Sequence, residues 1–91
     1  MNIMDGRKNI VVTYSPFAME QTVYCWVDGD CTEQRRCSIE EVPITVNGLK
    51  RKYQVRKIEL VGPQDYVEKF KTEMLNSTYD FSDCNIEIIN R

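Results

Sequence analysis

The chain contains no histidine. That removes at once the commonest general base, the usual proton shuttle and the favoured metal ligand. It also lacks any strong excess of charge. Fourteen acidic residues stand against 12 basic ones, and a net charge of −2 points by itself to neither nucleic acid nor a membrane. No apolar run approaches the roughly 20 residues of a membrane-spanning helix. The opening segment is polar, and the Ile10-Val11-Val12 run after it is far shorter than the apolar stretch of a signal peptide, so a cytoplasmic location and no membrane partner are expected. No internal repeat, low-complexity tract or linker interrupts the chain.

What remains is an ordinary globular composition, 42% apolar and 29% charged. Its 91 residues suit one domain, 1–91, with 1–7 expected to be flexible. Four cysteines are present: Cys25, Cys31, Cys37 and Cys84. Their spacing is not the tight C-x2-C knuckle of structural zinc. In a reducing cytoplasm free thiols are expected ahead of a disulfide or a zinc site. Cys31 and Cys37 read as an exposed, neighbouring pair, with Arg35 and Arg36 placed to lower the Cys37 pKa. Asp28, Asp30 and Glu33 cluster without the glycine and ligand spacing of a calcium loop. Neither a metal nor a cofactor is expected.

The pattern along the chain predicts an α+β domain of order β-β-β-β-α-β, in which a mainly antiparallel sheet of about five strands carries one helix on one face. Asn9–Tyr14 and Gln21–Val27 are β-branched and aromatic, and Asp28-Gly29 is a strong turn pair. Alternation sets Val23, Cys25 and Val27 on one face of the second strand, and Thr22, Tyr24 and Trp26 on the other. The polar stretch from Asp30 to Glu41 reads as a long loop. Asn47-Gly48 is a type I′ hairpin signal, pairing Val46 with Leu49, Ile44 with Arg51 and Val42 with Tyr53. Pro43 would then lie on an edge strand. The apolar phase changes between Val55 and Ile58, which suggests a β-bulge at Arg56-Lys57. Gly62-Pro63 opens a helix bearing Tyr66, Val67, Phe70, Met74 and Leu75 on one face. Asn85–Ile89 is a last strand.

Two features point toward function. Arg35, Arg36, Lys50, Arg51, Lys52, Arg56 and Lys57 gather seven of the 12 basic residues in the middle of the chain. Lys50 and Lys52 on a basic hairpin, 50–57, beside an aromatic would suit a small single-strand nucleic-acid module, although strand lysines also serve simply to guard a sheet edge. Tyr24 and Trp26 form the second feature. Large apolar groups on both faces of the second strand favour a central strand covered on both sides, with Tyr24 and Trp26 in the core; on a sheet face that the helix does not cover, they would instead need a partner or a second copy of the chain. The leading expectation is a non-catalytic protein that binds another protein through a sheet face or edge, using residues among Tyr24, Trp26, Arg35, Arg36, Lys50, Lys52, Arg56 and Lys57. A small domain without catalytic residues is the sort of chain that a phage or mobile element encodes to inhibit a host enzyme, by analogy of size. Homo-oligomerisation and nucleic-acid binding are the alternatives.

Overall fold

In the computed structural model, residues 8–15 and 20–91 are described. The flexibility expected of 1–7 lies outside them. Strands β1 (Lys8–Ser15), β2 (Glu20–Val27) and β3 (Asp30–Cys37) form an antiparallel meander. A single 3-10 turn (Ile39–Glu41) leads into helix α1 (Val42–Tyr53), then strand β4 (Lys57–Gly62), helix α2 (Gln64–Asn76) and strand β5 (Asn85–Asn90). The strands form one sheet in the order β3-β2-β1-β4-β5. β4 lies parallel to β1, and β5 parallel to β4.

The domain is therefore α+β with five strands, but its sheet is mixed rather than mainly antiparallel, and it has two helices rather than one. A parallel neighbour cannot be reached by a tight turn and needs a crossover segment, usually a helix. Helix α1 carries the chain from β3 over β2 and β1, and α2 carries it from β4 to β5. Both helices pack on the same face of the sheet, where Ile10, Val12, Val23, Cys25, Ile58 and Leu60 meet Val46, Leu49, Val67, Phe70 and Met74 in one buried core. Among the described residues no helix is long and apolar enough to cross a membrane.

The expected Asn47-Gly48 hairpin is instead the middle of α1. Val42, Val46 and Leu49 are buried at positions i, i+4 and i+7, and Tyr53 at i+11 is half-buried, which is helical spacing. Ile44, paired with Arg51 in the expected hairpin, is 56% exposed on the helix. Pro43 occupies the first turn, where its missing N–H leaves no bond unmade. Just ahead of it the Glu41 carboxylate accepts hydrogen bonds from the Ser38 N–H and hydroxyl at 3.0 and 3.1 Å. These bonds hold the Glu41 pKa below its ordinary value. Lys50, Arg51 and Lys52 fill the last turn, where cations suit the helix dipole. The helix closes at Gln54, whose φ of 57° is left-handed, with the Val55 N–H donating to the Lys50 carbonyl at 3.0 Å.

That boundary also explains the change of apolar phase. Val55 lies in the connection just after the helix and Ile58 belongs to a new strand, so no bulge is present at Arg56-Lys57. The irregularity lies instead between β2 and β3, at Cys25 and Trp26. The supposed loop from Asp30 is strand β3, a polar edge strand closed onto β2 by the Asp28-Gly29 turn. Both of those residues have positive φ, 52° and 89°, the conformation for which an Asp-Gly pair is suited. In α2 the stripe Val67, Phe70 and Met74 is buried, and Tyr66 stacks on Tyr14 with ring centroids 3.6 Å apart. Leu75 is 62% exposed and lies off the packed stripe.

Candidate docking face

The two helices cover one face of the sheet only, so every second residue of the inner strands points away from the core. Pairing registers place these outward residues in rows across the sheet. Trp26, Asn9 and Lys57 form one row, Tyr24, Val11 and Glu59 the next, and Thr22, Thr13 and Val61 a third. Each of Asn9, Val11, Thr13, Tyr24, Trp26, Glu59 and Val61 is half-buried, shielded among the described residues by its row neighbours rather than by a second layer. Together with Ile89 and Arg91 they line a shallow depression of about 570 Å³. Asn9 Nδ2 donates to Glu59 Oε1 at 2.8 Å, which fixes the carboxylate at the centre of this face. Tyr24 and Trp26 thus stand opposite Val23 and Cys25, as alternation puts them, but on a face that neither helix covers rather than in the core.

The basic residues are not gathered in the way a hairpin would gather them. Residues 50–57 comprise the last turn of a helix, a connection and the first residue of a strand. Glu33 on β3 is the hub of one cluster. It accepts from Lys52 Nζ, from Arg35 at 2.8 Å and from the Tyr53 hydroxyl at 2.8 Å. The lysine bond, followed by those of Tyr53 and Arg35, lowers the Glu33 pKa to about 2 and raises that of Lys52. Lys50 points elsewhere. Its ammonium donates to the Asp80 carbonyl at 2.6 Å, pairs with Asp83 at 3.1 Å and lies over the Phe81 ring. Lys57 faces Glu87 at 3.9 Å. Arg56 is exposed in the connection before β4, and Arg36 is exposed on the uncovered side of β3, in line with Thr22. Of the eight candidate residues, the structure brings Tyr24, Trp26, Arg36 and Lys57 to one face. Arg35 and Lys52 meet through Glu33, while Lys50 and Arg56 lie near the end of α1.

The central pair of this face, Asn9 and Glu59, was not among the sequence candidates. Ile58 and Leu60 alternate inward on β4, so Glu59 had to point outward. Its proximity to Asn9 depends on the parallel pairing of β1 with β4, which no local pattern reveals.

The cysteines are unpaired thiols, with Cys25 and Cys37 buried and Cys84 half-buried. Cys31 is exposed at one end of β3 and Cys37 lies at the other, about 20 Å away at strand rise, so they are not a neighbouring pair. Burial pushes the Cys37 thiol up, the reverse of the lowering expected from Arg35 and Arg36. Among the described residues no group of three or more Cys, Asp or Glu side chains is placed to hold a metal ion. No protein-family model, curated protein or solved structure matches the chain.

Proposed function

We propose that this chain is a non-catalytic docking protein that binds another protein through the uncovered face of its sheet. One observation carries the reading. Tyr24 and Trp26 stand side by side on a face that neither helix covers, continuous with Val11, Val61 and Ile89. Trp and Tyr supply much of the binding energy at protein interfaces, because they bury a large area and keep one polar atom for the partner. The carboxylates of Glu59 and Glu87 on the same face oppose a phosphate backbone. Lys50, Lys52 and Lys57 already have partners within the chain. A nucleic-acid module built on residues 50–57 has therefore lost its hairpin and most of its free charge. A small cytoplasmic domain of this kind suits a blocking role, such as that of a mobile-element protein against a host enzyme.

The test is cross-linking of a captured partner, with the linked residues mapped by mass spectrometry. Links should fall on the β1, β2 and β4 side of the sheet. Tyr24→Ala combined with Trp26→Ala should abolish capture while the far-ultraviolet spectrum is retained. Links confined to the helix side, or capture by the double variant, would reject the reading. So would single-stranded oligonucleotide binding much tighter than the ~10⁻⁴–10⁻⁶ M of non-specific contacts at physiological salt.

A further inference from the structure

We infer that the centre of the uncovered face takes an arginine side chain of the partner protein, an inference that rests on the docking reading above. Three features converge on one row. Tyr24, Val11 and Glu59 are direct cross-strand neighbours on β2, β1 and β4, so an aromatic wall, an aliphatic floor and a carboxylate wall follow one another. Trp26 and Asn9 close the row on one side. Among the described residues no lysine or arginine forms an ion pair with Glu59, whose Asn9 bond is to a neutral amide. Lys57, the nearest cation along its own strand, is turned to Glu87 instead.

Side chains facing each other from β2 and β4 stand two strand spacings apart, about 9–10 Å. A ring contact of ~3.5–4.0 Å on one side and a charge-assisted hydrogen bond of ~2.8 Å on the other leave the width of a planar guanidinium between them. Arginine can do both at once, one edge of its planar N–H fork meeting the carboxylate while the opposite edge lies against the aromatic face. A lysine ammonium is a compact, strongly hydrated point charge and offers no second edge to reach the opposite wall. Asn9 holds Glu59 in place beforehand, so less side-chain freedom is lost when the cation arrives. A partner whose arginine projects from an otherwise apolar surface would match both the charge of the slot and its surroundings.

Nuclear magnetic resonance titration of the isotope-labelled chain tests this with two probes, acetyl-Gly-Arg-Gly amide and the same peptide bearing neutral citrulline. The single tryptophan, Trp26, supplies a second readout by fluorescence. Saturable shifts should appear at Val11, Tyr24 and Glu59 with the arginine peptide. Citrulline should bind at least tenfold more weakly. Glu59→Gln, which keeps an oxygen for Asn9 to donate to, should erase that preference. Equal binding of both peptides, shifts elsewhere on the surface, no saturable binding, or an unchanged preference in Glu59→Gln would each overturn the arginine site. If the Tyr24 and Trp26 double variant still loses its captured partner, the docking face stands and only the arginine fails. If capture also survives that double variant, both readings fail.

Discussion

The two faces of the sheet are built from the same strands, one residue out of step, and they do different things. On β1, β2 and β4 the inward residues Ile10, Val12, Val23, Cys25, Ile58 and Leu60 are fully buried under the helices. Their immediate neighbours Val11, Tyr24, Glu59 and Val61 remain half-exposed, although several are equally apolar. Composition does not separate the faces, because Val11 and Val12 are the same residue type. Only the layer above them differs. Burial against close-packed side chains stabilises the fold on one face, and apolar surface left in water on the other is available to a partner.

Adjacent residues on one strand offer the sharpest way to break this comparison. Leu60→Ala should cost about 2–5 kcal/mol, for the lost burial and the cavity left under the helices. Val61→Ala, one position along and facing outward, should cost about 1 kcal/mol or less. Urea denaturation of both variants checks this, and similar midpoints would mean that the outer face is covered after all.

A smaller effect of opposite sign comes from α1. Gly48 is exposed, and a Cβ added there meets nothing within 4 Å. Gly48→Ala should therefore raise stability by about 0.5–1 kcal/mol, the difference in helix propensity. Thermal melting reads it directly, and a lowered melting temperature would be the signature of the turn that Asn47-Gly48 imitates.

The smallest effect concerns pH. The Glu33 carboxyl is lowered from 4.5 to about 2 by its bonds to Lys52, Tyr53 and Arg35. A depressed carboxyl binds fewer protons folded than unfolded, so its contribution is fully present above pH 4.5 and is lost as pH falls toward 2. The three donors lie near the surface, where water and salt screen the interaction. Glu33→Gln should flatten the stability profile between those two pH values and leave the remainder of it parallel to the wild type. Melting temperatures at stepped pH, compared between the two proteins, measure the difference.

Much of this architecture was legible in the residues themselves. β1, β2, α2 and β5 announce themselves by β-branched runs or helical spacing, and Asp28-Gly29 marks a true turn. Asn47-Gly48 carries the same turn chemistry yet sits in a helix, because the spacing of Val42, Val46, Leu49 and Tyr53 buries one helical stripe and tertiary packing overrides a local preference. β3 was illegible for the opposite reason. As an edge strand whose residues between Cys31 and Cys37 are all polar or charged, it has no apolar alternation to show. Alternation sets Tyr24 and Trp26 on one face of β2, but with apolar groups on both faces it cannot tell which face stays uncovered. The slot they share with Glu59 was not legible either, since it arises from parallel pairing between distant segments.

That distance has a consequence for when the face comes into being. Asn9 and Glu59, which meet at its centre, are 50 residues apart in the chain. The β1-β2-β3 meander needs only short-range closures, whereas the β1-β4 joint must wait for the whole of α1 to cross over, and contacts of long sequence separation form slowly. During synthesis the aromatic half of the face therefore emerges first, facing a gap where β4 will lie. A chain halted before residue 59 displays Tyr24 and Trp26 with no carboxylate opposite them. The face is thus completed late and all at once, when β4 pairs with β1.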